Sequence, residues 1–176
     1  MLNILKLRTI IAFIATVLIL NACGFQLRDH VALPTGVEPV FIHTQSSVAK
    51  ELHKQLKVSG ADIAKTPHTA NHQIIISNIK AERRTAALGE NARALEFLLL
   101  ESLSVELRHS KGHIVWGPHR LTERKIIQND PNRVASISAE ENILRQEMRK
   151  NLAANIIRQL HNVKLSKIIS EPAKAE

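Results

Sequence analysis

The sequence is poor in the residues that build stacking surfaces and in the residue that cross-links secreted proteins. Its 176 residues include no Tyr, one Trp and four Phe, so aromatic residues make up only 3%. A platform that stacks nucleobases or sugars needs more aromatic rings than this. The single Cys cannot form a disulfide within the chain, so the fold must be stabilised by packing.

Motifs for catalysis and cofactor binding are also absent. The chain has no G-x-S-x-G nucleophile elbow, no P-loop and no dinucleotide-binding fingerprint. Ser47-Val48-Ala49-Lys50 matches the S-x-x-K motif of penicillin-binding enzymes, but no S-D-N follows, and Lys65-Thr66-Pro67 has Pro where K-T-G has Gly. We therefore expect no enzyme. A small periplasmic hydrolase that uses Ser47 is the weakest alternative, because Ser46 or Ser47 can simply cap a helix.

Nine histidines raise the question of a metal site. His109 and His113 flank a predicted hairpin turn, with His119 beyond, and no Cys or acidic residue completes the set at ligand spacing. His68 and His72 do not form a zincin motif, because no Glu follows the first His. We expect solvated histidines, and neither a metal ion nor a cofactor.

The N-terminal segment has the pattern of a bacterial lipoprotein signal. Lys6 and Arg8 precede an apolar run from Ile10 to Leu20, which has the length of a signal-peptide h-region and is too short to span a bilayer. The run ends in Leu20-Asn21-Ala22-Cys23, which looks like a lipobox. We predict cleavage after residue 22 and lipidation of Cys23; the alternative is a secreted protein with a free Cys.

The residue after Cys23 and the charge of the mature chain indicate its surroundings. An acidic residue at this place tends to keep a lipoprotein in the inner membrane, and Gly24 is not acidic, so we expect anchoring at the periplasmic face of the outer membrane. Lys6 and Arg8 leave with the signal, so 22 basic residues face 16 acidic ones, a balance of +6. This balance suits an anionic partner such as lipid phosphate, and we expect no nucleic acid outside the cytoplasm.

The first half of the mature chain predicts a strand followed by a helix. Residues 37–44 form a short β-rich run. Val48, Leu52 and Leu56 recur every four residues and predict a helix over about 47–59, which Gly60 ends because glycine adopts the left-handed conformation freely. Period-two patterns over 72–81, 93–109 and 113–128 predict three antiparallel strands, with a bulge at Gly117-Pro118.

The last predicted element is a long helix. Ser138-Ala139-Glu140-Glu141 is a capping box, in which Ser138 and Glu141 satisfy each other's backbone amides. An apolar stripe follows at four-residue spacing and predicts a helix of about 22 residues lying on the sheet. The stripe consists of Leu144, Met148, Leu152, Ile156 and Leu160. Arg145 and Arg149 lie on the side that we expect to face water.

These elements predict an α+β fold with two helices packed on one face of a four-stranded mixed sheet. The domain organisation that we expect is a lipoprotein signal peptide over 1–22, a lipidated N-terminus and tether over 23–36, one domain over 37–161 and a flexible tail over 162–176.

Basic residues near the predicted strand ends form a candidate binding site. In an antiparallel meander, the connection after the second strand and the end of the fourth strand lie side by side, so the basic residues there could converge. Arg binds phosphate oxygens in a bidentate manner. The alternative is a solvated basic rim. The candidate phosphate-binding residues are Arg83, Arg84, Arg93, Lys125 and Arg133.

The predicted mature N-terminus resembles that of a known family. Cys23-Gly24-Phe25-Gln26-Leu27-Arg28 is similar to the start of the lipopolysaccharide-assembly lipoproteins of the LptE family, and element order and mature length agree over nearly the whole chain. This resemblance implies two helices on a four-stranded sheet. It also implies a protein that plugs and helps assemble the outer-membrane β-barrel LptD, and that binds lipopolysaccharide. The alternative is an auxiliary lipoprotein of another envelope complex, without lipopolysaccharide affinity.

Overall fold

The computed structural model describes residues 33–34, 36–43, 45–130 and 134–163. The predictions for the signal segment, Cys23, Arg133 and the chain beyond residue 163 lie outside these residues. A 3₁₀ turn at Pro67–Thr69 follows the first helix. The helices and strands, in chain order, are β1 (Val40–Ile42), α1 (Ser47–Val58), β2 (His72–Leu88), β3 (Ala94–His109), β4 (Ile114–Gln128) and α2 (Val134–His161).

The four strands form one mixed sheet in the order β1-β2-β3-β4. β1 runs parallel to the start of β2, and the other neighbours are antiparallel, as the sequence predicts. β2 continues to Leu88, beyond the predicted end at residue 81. A bulge between Ser77 and Lys80, with Asn78 at φ 50°, lets the strand resume its pairing with β3.

β3 confirms the strand prediction although its Leu and Glu residues favour helices. Leu99, Leu103, Val105 and Leu107 alternate along one face and are buried, which a strand achieves and a helix with this spacing does not. Gly117 opens the predicted bulge at the start of β4. It has φ +88°, and a Cβ atom there would lie 2.6 Å from the carbonyl oxygen of Val105, so only glycine fits.

Helix α1 begins after Ser46, whose Oγ accepts a hydrogen bond from the amide of Ala49 at 3.1 Å. The cap is therefore Ser46 and not Ser47, which is exposed in the first turn. Ser59 ends the helix, and Gly60 follows with φ +80°, as predicted.

Helix α2 begins at Val134, four residues before the predicted start. Ser138 therefore lies within the helix, and the capping-box prediction is wrong. The physical reason is packing: Ile137 is buried with Leu99 of β3 and Ile127 of β4, and the helix must extend upstream to place it there.

Both helices cover one face of the sheet and enclose two clusters of buried residues. The main core unites α1, the C-terminal half of α2 and the half of the sheet next to β1, with Leu52, Leu152 and Ile156 at its centre. The distal core is smaller and consists of Leu99, Ile127, Ile137 and Met148. Within the described residues, no helix combines the length and apolar character needed to cross a bilayer.

Candidate functional site

The register of the sheet separates the candidate basic residues onto two faces. Arg83 pairs with Leu99, and Leu99 pairs with Lys125, so Arg83 and Lys125 lie on the face that the helices cover. Arg84 is the next residue of β2, and its side chain lies on the opposite, open face. The structure therefore does not bring these three side chains together on one surface.

Arg83 and Lys125 contact carboxylates of α2. Arg83 Nη1 lies 3.1 Å from Glu141 Oε2, and its guanidinium stacks over Phe97 at 4.5 Å from the ring centre. Lys125 Nζ lies 2.9 Å from Glu147 Oε1. These contacts hold the N-terminal half of α2 on the sheet, so both cations already have anionic partners.

A buried carboxylate organises the same half of α2. Glu101 interrupts the apolar row of β3, and 5% of its side chain is exposed. Arg149 Nε donates to both Glu101 oxygens at 3.1 Å, and Arg145 Nη2 lies 2.8 Å from Glu141 Oε1. The prediction that Arg145 and Arg149 face water is therefore wrong, because both arginines pair with Glu101 of β3, which draws them toward the sheet.

Glu141 is held in its ionised form by these arginines. Burial alone raises the pKa of its carboxyl group, but hydrogen bonds from Arg145 and Arg83, and their charges, outweigh burial, so the pKa lies below its ordinary value. Glu141 is consequently negatively charged at neutral pH, and its ion pair with Arg83 connects α2 to β2.

The open face carries a second set of cations that surrounds an apolar strip. Alternation along β2 and β4 places these side chains on the face away from the helices. We call this surface the open-face patch. Its basic members are Lys80, Arg84, Arg120 and Arg124, and its apolar members are Leu98, Leu100 and Ile126.

The open-face patch has more cations than carboxylates. Glu82 binds Arg84 in an ion pair. In the described part of the chain, Lys80, Arg120 and Arg124 form no ion pair. Arg120 makes only a long contact, 3.5 Å, to the Ser102 hydroxyl.

Arg93 lies in the turn between β2 and β3. Its carbonyl accepts a hydrogen bond from the amide of Gly89 at 2.8 Å, and its side chain is exposed. Leu88 and Leu95 flank this turn and are 63% and 49% exposed. The tip of the hairpin therefore carries Arg93, the acidic Glu90 and exposed apolar side chains.

These surfaces can bind an anionic amphiphile. Guanidinium groups pair with phosphate oxygens, and exposed Leu and Ile side chains gain from burial against hydrocarbon. Among the described residues, no group of three or more His, Cys, Asp or Glu side chains is arranged to hold a metal ion. Sequence reasoning grouped Arg83 with Arg84 by position along the chain; period-two alternation was the signal that separates them.

Comparison with known proteins shows the family to which the chain belongs. The family model described as LptE, lipopolysaccharide-assembly, matches residues 30–160. The chain belongs to this family. LPS-assembly lipoprotein LptE of Yersinia pestis (strain Pestoides F) is 25% identical over 158 residues, which cover 86% of this chain and 74% of that protein. The same protein of Yersinia pseudotuberculosis (serotype O:1b, strain IP 31758) matches equally.

Solved structures show the same fold. Lipoprotein B of Nitrosomonas europaea aligns with a TM-score of 0.68 and 22% identity, over 78% of this chain and 90% of that one. Rare lipoprotein B of Shewanella oneidensis aligns with a TM-score of 0.62 and 15% identity, over 73% and 96%. The chain is thus an LptE-family lipoprotein of lipopolysaccharide assembly, associated with the cell envelope, and its α+β fold is confirmed.

Proposed function

We propose that the chain is an outer-membrane lipoprotein that plugs and helps assemble an LptD β-barrel and binds lipopolysaccharide during its delivery to the cell surface. Cys23, acylated, would attach it to the periplasmic face of that membrane. The role makes and breaks no covalent bond, so it needs neither catalytic residues nor a cofactor. Membership of the LptE family supports the proposal.

The open-face patch is the observation that carries lipopolysaccharide binding. Lipopolysaccharide presents clustered phosphates beside acyl chains. The patch presents basic side chains beside Leu98, Leu100 and Ile126, and Ile126 is 58% exposed. Both parts of the lipid therefore have a chemically matched partner on one surface.

We propose that only two of the described candidate residues, Arg84 and Arg93, contact the lipid. Arg84 belongs to the open-face patch, and Arg93 lies on the exposed hairpin tip. For Arg83 and Lys125 we propose a structural role, because each already contacts a glutamate of α2. Arg133, outside the described residues, stays a prediction.

The lipid-binding part is tested by charge reversal on the patch. Arg84→Glu with Arg124→Glu should weaken lipopolysaccharide binding by about ten-fold or more, because each charged hydrogen bond contributes about 1.5–3 kcal/mol and 1.4 kcal/mol is ten-fold. Binding should also weaken with salt, since exposed charges are screened over about 8–10 Å at physiological ionic strength. The experiment measures the affinity of the full lipoprotein for lipopolysaccharide in detergent.

A matched control makes this test specific. Lys57→Glu with Lys65→Glu changes the net charge by the same amount at two exposed lysines outside the patch. The affinity of this control for lipopolysaccharide should therefore equal that of the wild type. If the control loses as much as the patch variant, binding depends on overall charge and the patch is not the site.

The barrel contact is tested by co-purification from outer membranes without crosslinking. A stable interface buries about 1,200–2,000 Å² or more, so the patch variant should still recover the barrel. The alternative, an auxiliary lipoprotein of another complex, predicts recovery of a different partner and no lipopolysaccharide affinity in the wild type.

A further inference from the structure

A polar cleft lies between the two helices, on the side of the sheet away from the open-face patch. The first two turns of α1 form one wall, and the middle of α2 forms the other. We call it the interhelix cleft. The residues that line it are Ser47, Lys50, Glu51, Lys54, Asn142, Gln146 and Arg149.

The α1 wall carries unbalanced positive charge. Lys50 and Lys54 are exposed and one helical turn apart. Within the described residues neither forms an ion pair. The first turn of α1 contains no acidic residue that would offset the positive end of the helix dipole. The cleft therefore favours an anionic occupant.

Arg149 is the third basic residue that lines the cleft. Arg149 binds Glu101 through Nε and Nη2, which leaves Nη1 outside that pair. Glu51 is the one carboxylate among the lining residues, and it accepts a hydrogen bond from Gln55 Nε2 at 3.2 Å. Glu101 therefore offsets the charge of Arg149, and in the rest of the lining the two lysines of α1 outnumber Glu51.

The α2 wall carries uncharged carboxamide groups, and these indicate which class of anionic ligand fits the cleft. Asn142 and Gln146 are four residues apart, so both side chains lie on one side of the helix. Each carboxamide offers a donor and an acceptor, which a peptide backbone can satisfy together, whereas a phosphate group uses donors only. Among the described residues no Leu, Ile, Val or aromatic side chain lines the cleft, so its apolar surface is limited to the aliphatic parts of polar side chains and suits a polar ligand better than an acyl chain.

We propose that the interhelix cleft binds an extended acidic peptide segment of a partner protein. Side chains one helical turn apart are separated by about 5–6 Å. Alternate residues of an extended chain are about 6.6 Å apart and point the same way. Acidic side chains at alternate positions therefore match Lys50 and Lys54, while the peptide backbone lies along Asn142 and Gln146.

The test is a fluorescence-anisotropy titration of the lipoprotein in detergent with a labelled nine-residue peptide of alternating Glu and Ser. Lys50→Gln with Lys54→Gln should weaken binding by at least about ten-fold, and a peptide with Gln in place of Glu should bind equally poorly to the wild type. Asn142→Ala with Gln146→Ala should also weaken binding, with an unchanged dependence on salt, because these contacts are uncharged.

Controls distinguish the cleft from a general attraction. Lys57→Gln with Lys65→Gln removes two lysines outside the cleft and should leave peptide affinity unchanged, and a urea midpoint at the wild-type value verifies that each variant is folded. Equal loss in this control would overturn the proposal. So would displacement of the peptide by inorganic phosphate at equal concentration, which would reveal a simple anion site. Lipopolysaccharide binding at the open-face patch should be unaffected, so this inference and the proposed function fail independently.

Discussion

The two halves of the sheet hold helix α2 by different forces. Next to β1, the C-terminal half of α2 packs through Leu152, Ile156 and Leu160 into the continuous main core. Toward the β2–β3 turn, the distal core is small, and ion pairs from Arg145 and Arg149 to the sheet carboxylate Glu101 supplement it. One half relies on apolar burial, and the other on directional contacts between charges.

This difference has a consequence for function. Apolar burial is nondirectional, so it stabilises the main core without fixing the rotation of α2 closely. Charged hydrogen bonds depend on distance and angle, so Glu101 and Glu141 define where the N-terminal half of α2 lies. We infer that the half of the sheet that bears most of the open-face patch is positioned by polar contacts, while the half with α1 supplies most of the stability.

The largest effect should come from the main core. Leu152 is 1% exposed, and Leu152→Ala should lower the free energy of unfolding by about 2–5 kcal/mol, because it removes buried atoms and leaves a cavity. Urea unfolding measures this, and Ile143→Ala, at a position 66% exposed, should stay within about 0.5 kcal/mol. Equal losses would mean that α2 does not lie on the sheet through this stripe.

A smaller loss should follow when the buried charge is removed from the distal half. Glu101→Gln leaves Arg149 and Arg145 without their ionised partner, which should cost about 1.5–3 kcal/mol. Both arginines keep some exposure to water, so the loss should stay below that of Leu152→Ala. Glu90→Gln, at an exposed turn residue, is the matched control. Unchanged stability in Glu101→Gln would show that apolar packing alone holds the distal half.

The fold was predictable because its signals are periodic. Alternation in β3 and the four-residue stripe of α2 both describe surfaces that must be buried, and burial decides structure even where propensity disagrees. Element ends were less predictable. The start of α2 depends on where Ile137 packs, and the end of β2 depends on the bulge after Ser77, and both are tertiary effects.

The candidate site was harder to predict for the same reason. Glu101 is a charge within the apolar row of β3, but its partners could not be named from the sequence because they depend on the position of α2. The face on which Arg84 lies depends on the number of residues in the bulge between Ser77 and Lys80, because one extra residue exchanges the faces of a strand. The basic residues were visible in the sequence; their division between two surfaces was not.

Acid should affect the two halves at different pH. His72 is buried and donates through Nδ1 to the Val37 carbonyl, and its ring lies 5.0 Å from that of His109. Burial lowers the pKa of His72 below its ordinary 6.5. Burial first, and then His72, His113 and Lys111, also lower the pKa of His109. The stability that these neutral histidines contribute is complete above pH 6.5 and is lost as pH falls below it, because the unfolded chain takes up protons first.

The distal half should respond only in stronger acid. The pKa of Glu141 is lowered, so its contribution persists above its unfolded value of 4.5 and is lost as pH falls through the folded pKa. Urea midpoints should therefore fall between pH 7.5 and 5.0 in the wild type and fall less in His72→Gln with His109→Gln. In Glu141→Gln, the urea midpoint should fall with pH as steeply as in the wild type over this window. A weaker pH dependence in Glu141→Gln would mean that the distal half, and not the histidines next to β1, causes the loss of stability.

The smallest effect should come from the most exposed contact of the distal half. Lys125 and Glu147 are 35% and 49% exposed, so water and salt screen their attraction. A double-mutant cycle of Lys125→Ala and Glu147→Ala, followed by urea unfolding, should give a coupling of about 0.2–1 kcal/mol at low salt. The coupling should approach zero at 1 M salt, where the Debye length is about 3 Å.

The loss of stability in Glu101→Gln should change little over the same range of salt, because Glu101 is buried and dissolved ions hardly screen it. If both effects fade equally with salt, the distal half is held by surface electrostatics alone, and the buried carboxylate has no special role in positioning α2.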